Sequence, residues 1–252
     1  MADPAVVFPF HDPDGLVSPH LVRITPILKE LFSQAFVSLT SVTIEKHPEI
    51  VTHLEKDRFF NVSPIFPGML VGDHFHFLYQ VAASVSEPAQ LLHPCFIDRL
   101  AFILQSKHKA QFVQDIQTVD RENAPILFGR SKAAWDTHPR NYDEIEHFAT
   151  RAGEFLFGKT LDFAWCHLVI QAGSLKEILP NVQNHDMSML AEIVLAIKDY
   201  VKMKNVDWLE WEDPFLLSRD SGILKTEREN NPLETQKRLS YIVPTLQTLA
   251  VK

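Results

Sequence analysis

Short apolar runs alternate with helix-like segments along the first half of the chain. Runs without polar alternation predict strands buried on both faces, and apolar residues at helical spacing predict the helices between them. The predicted strands are residues 5–10, 35–39, 59–65, 91–97 and 125–128. One predicted helix begins at Ser18, and three more are predicted over residues 47–57, 72–85 and 107–119. This alternation predicts an α/β fold with a mostly parallel sheet of at least four strands and helices on both faces.

The second half of the chain has a less regular pattern. Residues 142–157 are amphipathic and end at Gly158, which predicts a helix with a glycine cap. Residues 161–171 are apolar and fit either a strand or a buried helix. The remaining predictions are a helix over 186–203, a short strand over 206–211 and a helix over 232–249 that Pro244 kinks or breaks. No linker rich in Pro, Gly or Ser divides the chain, so we interpret residues 1–252 as one domain.

Composition excludes some classes of protein. Of the 252 residues 46% are hydrophobic and 22% charged, which is typical of globular proteins. The net charge is −8 and no run is rich in Lys or Arg, so nucleic-acid binding has no electrostatic support. Cys95 and Cys166 lie in apolar runs and are expected to be buried, reduced thiols. The chain shows no leader pattern and no apolar run of membrane-spanning length, so it is predicted to be cytoplasmic without a membrane span.

Motifs of several enzyme classes do not occur. The chain has 8 glycines, and neither a P-loop nor a G-x-G-x-x-G pattern follows a predicted strand, which argues against P-loop nucleotidases and dinucleotide dehydrogenases. G-x-S-x-G and H-E-x-x-H are also absent. His74 and His76 are two positions apart on a predicted helix and point to different faces, so a surface or capping role is favoured over a metal pair.

Asp98 is the most informative polar residue of the first half. If the predicted strand ends at Ile97, Asp98 lies at the carboxyl edge of the sheet, where open α/β sheets bind ligands. A carboxylate at that edge is a suitable anchor for a divalent cation beside a phosphorylated ligand. The alternative is a salt bridge between Asp98 and a cation, for which the chain offers Arg99, Arg130 and Arg151.

Polar residues of the second half have two interpretations each. Asp186, which follows His185, either caps a helix or places a carboxylate at a cleft. A mixed cluster of aromatic and acidic residues is typical both of sugar-binding clefts and of ordinary strand edges. It consists of Trp208, Glu210, Trp211, Glu212 and Asp213.

Four segments of the chain carry a resemblance to a known family. They are VVFPFH at residues 6–11, PGMLVGD at 67–73, FID at 96–98 and TRAG at 150–153. In order and spacing, over roughly residues 6–215, they resemble the GT-A fold glycosyltransferases, most of all the mannosylglycerate synthase type. The resemblance implies a GT-A-like, Rossmann-like sheet with extra helices in the C-terminal part. It also implies a nucleotide-binding half, residues 1–130, and an acceptor-side half, residues 131–252.

The resemblance implies roles for individual residues. The substrates would be a nucleoside diphosphate sugar and a small acceptor, with the diphosphate bound through Mn or Mg. Asp98 would hold this divalent cation, and Asp186 and Asp213 would be the catalytic polar partners of the acceptor hydroxyl. The residues expected to contact the base or ribose are Pro9, Phe10, His11 and Asp73.

Two positions depart from the family pattern. Val71 stands where the family's Gly-Lys-Gly-Asp motif carries its lysine, which removes a contact to phosphate or base. Phe96 stands where the family has the first acid of its metal motif, which leaves Asp98 as the one carboxylate. Two alternatives therefore stay open: a catalytically silent GT-A-like binding or assembly protein, and another α/β enzyme that acts on a phosphorylated metabolite.

Overall fold

The structure is a computed structural model that describes residues 4–64 and 68–251. Its strands are β1 (Ala5–Phe10), β2 (Ala35–Leu39), β3 (Phe60–Pro64), β4 (Leu91–Pro94), β5 (Ile126–Arg130), β6 (His167–Gln171) and β7 (Lys202–Val206). Its helices are α1 (Ser18–Leu31), α2 (Ser41–Lys46), α3 (Pro48–Lys56), α4 (Val71–Val85), α5 (Ile97–Gln105), α6 (Lys109–Gln117), α7 (Lys132–Thr137), α8 (Arg140–Phe157), α9 (Ala172–Ile178), α10 (Met189–Ile197), α11 (Asp213–Leu216), α12 (Ser221–Glu229) and α13 (Pro232–Val251).

The strands of the described residues form one seven-stranded sheet in the order β3-β2-β1-β4-β6-β5-β7. β1 is parallel to β2 and β4, and β7 is parallel to β5. β6 is antiparallel to both of its neighbours, β4 and β5. The predicted mostly parallel α/β sheet is confirmed. Because the strand order reverses between β1 and β4, their carboxyl ends border the crevice where open α/β sheets bind ligands.

Both faces of the sheet are covered by helices, as the unbroken apolar runs predicted. Val6 and Phe8 of β1 face one core cluster and Val7 faces the other, because successive strand residues alternate between faces. Helices α1, α5 and α6 pack on the first face, and α4, α9 and α10 pack on the second. Cys95 and Cys166 are buried free thiols, which confirms the expectation from sequence. No helix of the described residues is both long and apolar enough to cross a membrane.

The prediction that the fourth strand continues to Ile97 is wrong. Strand β4 ends at Pro94: Cys95 still donates a backbone hydrogen bond to Val7 O of β1, but toward β6 it makes only an isolated bridge to His167. The chain then enters α5, which the sequence did not predict and which begins at Ile97. Asp98 therefore lies in the first turn of a helix, where the helix dipole favours a carboxylate.

In the second half, the structure decides the alternative left open for residues 161–171 and corrects three predictions. The apolar run over 161–171 contains strand β6, preceded by a turn region. The predicted helix over 186–203 is too long, because its last residues form β7, which gains ladder bonds by pairing with β5. The predicted strand over 206–211 is wrong except for its first residue, because a 3₁₀ turn follows β7. Helix α13 continues through Pro244, so the predicted break does not occur there, and buried Ile242 and Thr245 hold the segment against the core.

Candidate functional site

Two adjoining cavities lie at the carboxyl edge of the sheet. The first, here called the cleft, has a volume of about 590 Å³ and includes Pro9, His11 and His74 in its lining. The second, here called the charged cavity, has a volume of about 280 Å³ and lies toward α8 and α13. Their linings share four residues, Phe96, Asp98, Met187 and Tyr241. Asp98 is the one carboxylate common to both linings.

Apart from Asp98, the cleft is lined by apolar and polar side chains, mainly of β1, of α4 and of the residues that follow β1 and β2. His11, directly after β1, has its Nδ1 3.0 Å from Thr40 Oγ1. His74 in the first turns of α4 has its Nε2 2.5 Å from Ser38 Oγ, and both side chains are buried. Burial lowers the pKa of His74 to about 4, because desolvation penalises the charged ring. At neutral pH this histidine therefore presents an uncharged ring to the cleft.

The first turn of α4 is held close to the segment that precedes α10. Gly72 N donates a hydrogen bond of 2.9 Å to His185 O. A Cβ at Gly72 would overlap the backbone of His185 and Asp186, so only glycine allows this approach. The contact fixes residues 185–186 beside the start of α4, whose next residues reach the cleft.

The charged cavity is built from ion pairs between distant elements. Its lining holds five basic and five acidic side chains: Arg99, Arg130, Arg228, Lys237, Arg238, Asp98, Glu146, Glu212, Asp213 and Glu234. Within the described part of the chain, all of these except Asp98 and Lys237 form an ion pair. The cavity thus holds two unpaired charges of opposite sign among compensated ones.

Glu146 of α8 is the centre of one part of this network. Its carboxylate accepts hydrogen bonds of 3.1 Å from Arg130 and 3.0 Å from Arg238, which come from β5 and α13. The guanidinium groups of Arg130 and Arg238 lower the pKa of Glu146 against the opposing effect of burial. Arg238 also lies over the ring of Tyr142, 3.7 Å from the centroid. These contacts join α8, α13 and β5 through buried charge.

The other part of the network surrounds Asp98. Arg99 Nη1 is 2.5 Å from Glu212 Oε2, and both side chains are buried. Arg228 contacts Asp213 at 3.3 Å and pairs with Glu234 as well. Asp98 Oδ1 accepts a 2.8 Å hydrogen bond from the backbone N–H of Arg99.

Three carboxyl groups here disfavour one another's charge. Burial raises the pKa of Asp98, and repulsion from Asp213 adds to it, while Arg99 opposes the shift. Burial likewise raises the pKa of Glu212 to about 7, with repulsion from Asp98 and Asp213 added. Such a group of acids gains stability from a shared proton or from a bound cation.

Some of the predicted site residues line a cavity, and others do not. Pro9, His11 and Asp98 line the cleft, and Asp98 and Asp213 line the charged cavity. Phe10 is fully buried in the core, and Pro67 of the PGMLVGD segment lies outside the described residues.

The remaining predicted residues lie outside both linings. Asp73 lies in the first turn of α4 and contacts His185, with 2.6 Å between Asp73 Oδ1 and His185 Nδ1. Asp186 is exposed, and its carboxylate accepts hydrogen bonds from the backbone N–H and the hydroxyl of Ser188.

Sequence reasoning missed most of the charged cavity. Arg99 and Arg130, named as salt-bridge partners for Asp98, pair with Glu212 and Glu146 instead. A signal was present on α8, where Glu146 shares the buried helix face with Tyr142. A carboxylate on a buried face requires a paired cation. Which arginines supply that charge is set by tertiary contacts.

Comparisons with known proteins support the fold. No protein-family model matches the sequence, and no curated protein matches it. The structure is similar to 4-diphosphocytidyl-2C-methyl-D-erythritol synthase from Anaerococcus prevotii, with a TM-score of 0.50 and 11% identity over 88% of this chain and 96% of that chain. A mycobacterial protein has a TM-score of 0.47 and 13% identity over 81% of this chain and 65% of that chain. The chain therefore has a GT-A-like α/β fold, and the similarity shows the fold alone.

Proposed function

We propose that this protein is a nucleotide-dependent transferase that moves a sugar from a nucleoside diphosphate sugar to a small acceptor. The observation that carries the proposal is the pair of cavities that meet at Asp98. A group-transfer enzyme needs a donor site and an acceptor site that share one reacting centre. The alternative of a silent binding or assembly protein would not require the second, charged cavity.

The cleft is the proposed nucleotide site. Its volume of about 590 Å³ falls in the range of small-molecule and cofactor pockets. Pro9 and His11 would lie against the base, and the neutral ring of His74, positioned by Ser38, would offer a hydrogen bond without charge. Asp73 would reach the ribose only by giving up its contact with His185.

The junction of the cavities is the proposed metal site. Asp98 would supply carboxylate oxygens, which are the ligands that Mg²⁺ and Mn²⁺ prefer. Burial, with repulsion from Asp213 added to it, raises the pKa of Asp98, and this fits a site that a cation would neutralise. A divalent cation there would offset the charge that develops on the diphosphate as the bond to the sugar breaks.

The charged cavity is the proposed acceptor site. An acceptor that enters it would meet the unpaired Lys237 and the carboxylate of Asp213. Asp213 would accept a hydrogen bond from the attacking hydroxyl, which orients it toward the sugar. Asp186 would contact the acceptor only if its carboxylate gave up the hydrogen bond from the Ser188 hydroxyl.

A thermal-shift panel of nucleoside diphosphates with and without Mn²⁺ tests the nucleotide site. A ligand present at 100 times its Kd stabilises the folded state by about 2.7 kcal/mol, so a matching nucleotide gives a clear rise in Tm. We expect the rise only when nucleotide and Mn²⁺ are added together. No rise with any nucleoside diphosphate would contradict the proposal.

A second candidate is nucleotidyl transfer to a phosphorylated acceptor. It is favoured by Lys237, the basic group of the charged cavity lining that forms no ion pair with a described residue and would suit a phosphate, and by the name of the Anaerococcus enzyme, a diphosphocytidyl compound synthase. The leaving group distinguishes the two reactions. Sugar transfer releases a nucleoside diphosphate, whereas nucleotidyl transfer from a nucleoside triphosphate releases pyrophosphate. Binding without release of either product would favour the silent alternative.

A further inference from the structure

Three potential metal ligands converge in the core where β4 meets β6, and none of them lines either cavity. His93 and Cys95 are two positions apart in extended backbone, so their side chains emerge on the same face of the sheet. His167 of β6 lies opposite Cys95, to which it is joined by an antiparallel bridge. The register of two neighbouring strands therefore brings two imidazoles and a thiol together.

The spacing of the donor atoms suits a single small cation. One ligand atom of each residue lies within 4.8 Å of the other two. Tetrahedral zinc with nitrogen and sulfur ligands at its usual bond lengths separates them by about 3.3 to 3.8 Å. Small rotamer changes would close the difference. Among the described residues, no other group of three such side chains meets this spacing.

The hydrogen bonding of the two histidines is incomplete. His93 Nε2 and His167 Nδ1 are 3.0 Å apart and share one proton. His93 Nδ1 and His167 Nε2 are buried and have no partner. A buried polar group without a partner is unfavourable, so each of these two nitrogens calls for an explanation.

We propose that His93, Cys95 and His167 bind one thiophilic d¹⁰ cation, Cu(I) or Zn(II). Binding forms a metal–sulfur bond, breaks the S–H bond of Cys95 and releases its proton to solvent, and neutral imidazole nitrogens complete the site. The thiolate and imidazole donors select these soft cations over Mg²⁺ or Mn²⁺.

The surroundings favour Cu(I) of the two cations. The three residues are fully buried, and the rings of Phe112 and Trp208 pack against His167. One thiolate and Cu(I) form a neutral unit, whereas Zn(II) would leave a positive charge in this apolar layer. Structural Zn(II) also takes a fourth ligand, which these rings leave little room for.

The proposed cation would link strand β4 to strand β6. β4 belongs to the parallel sheet of the first half, and β6 is its antiparallel partner from the second half. Cys95 precedes Asp98 by three residues, so a bond at Cys95 would also fix the start of α5. The proposal concerns the stability of this junction and is independent of the proposed transferase activity.

Metal content of the purified chain tests the proposal. The site has no exposed atom, so the metal is supplied during synthesis, with copper or zinc salts added in separate cultures, and during anaerobic refolding with each ion. We expect about one ion per chain in one of the two arms, measured by elemental mass spectrometry. Folded wild-type chain with less than about a tenth of an ion in both arms would overturn the proposal.

Two cysteine variants assign the metal to this cluster. Cys95→Ser should lose the ion, whereas Cys166→Ser, the other buried free thiol, should keep it. If the ion found is zinc, cobalt(II) in its place should give a thiolate charge-transfer band in wild type and Cys166→Ser alone; if it is copper, the copper content of the three proteins decides. Equal metal in both folded variants, or equal loss, would overturn the assignment. If Cys95→Ser does not fold, metal content and the cobalt band of wild type and Cys166→Ser decide.

Discussion

The cleft and the charged cavity share Asp98 but are held together by different forces. Apart from Asp98, none of the described residues that line the cleft is an acid, a lysine or an arginine. In the charged cavity, buried carboxylates and guanidinium groups compensate one another across α5, α8, α13 and β5. The ion pairs of the charged cavity therefore also stabilise the fold, because removal of one charge leaves another unpaired in a desolvated site.

The largest expected effect comes from Glu146 of the charged cavity. Glu146→Ala leaves Arg130 and Arg238 without their shared carboxylate, and loss of one partner of a buried pair costs about 3–5 kcal/mol. Urea unfolding measures this loss. The matched control is Glu144→Ala on the same helix, whose exposed pair with Arg140 should contribute under about 1 kcal/mol. Equal effects of the two substitutions would show that the network does not stabilise the fold.

The contributions of the charged cavity and of the cleft to stability should change in opposite directions as pH rises. Glu212 has a folded pKa of about 7, above the ordinary 4.5, so the folded state binds its proton more tightly. Its contribution to stability is fully present below about pH 4.5 and is lost as pH rises through about 7. His74 has a folded pKa of about 4, below 6.5, so its contribution is present above 6.5 and is lost as pH falls through about 4.

Thermal unfolding between pH 4 and 8 measures both trends. Glu212→Gln should remove the loss of stability on the alkaline side, and it should leave the acid side as in wild type. An unchanged alkaline slope in Glu212→Gln would contradict the assignment of that titration to the charged cavity.

A smaller effect is expected at the contact between α4 and the segment before α10. Gly72→Ala places a Cβ against the backbone of His185 and Asp186, and such overpacking costs about 1–3 kcal/mol. Gly222→Ala on α12 is the control, because that Cβ meets no atom closer than 3.4 Å and alanine favours a helix. Calorimetric unfolding should therefore show a loss for the first substitution and none for the second.

The smallest expected effect is at the hydrogen bond beneath the cleft. Ser38→Ala removes the contact to His74 Nε2, and a single hydrogen bond contributes about 1 kcal/mol. Ser41→Ala, at the exposed start of α2, is the control. If Ser38 also orients His74 toward a nucleotide, its substitution should weaken nucleotide binding more than it lowers stability. Unchanged affinity would assign Ser38 a structural role only.

Sequence patterns predicted the cleft half of the molecule better than the cavity half. Apolar runs such as Ala5–Phe10 and Ala35–Leu39 are buried on both faces, so their local composition alone identifies them as strands. Lys202–Val206 is largely exposed and polar, and it is a strand only because β5 lies beside it. Tertiary pairing of that kind leaves no local pattern in the sequence.

The residues of the candidate site were likewise easier to predict in the cleft than in the charged cavity. Asp98 was identified because it was expected at a strand end, and Pro9 and His11 were identified from the resemblance to the GT-A fold glycosyltransferases. The end of β4 at Pro94 instead of Ile97 moved Asp98 into a helix but left it at the sheet edge. The partners of Arg99 and Arg130 could not be predicted, because ion pairs between residues far apart in sequence depend on how the helices pack.

The central claim is that Asp98 anchors a cation between donor and acceptor sites. Isothermal titration of wild type and Asp98→Asn with a nucleoside diphosphate, each with Mn²⁺ and with a chelator, tests it most directly. Glu49→Gln is the control, because Glu49 is also an acid in a helix first turn but lies outside both cavities. The account predicts Mn²⁺-dependent binding in wild type and Glu49→Gln, and at least about tenfold weaker binding, or about 1.4 kcal/mol, in a normally folded Asp98→Asn. Binding by Asp98→Asn as tight as that of wild type, or wild-type binding that persists in chelator, would contradict it.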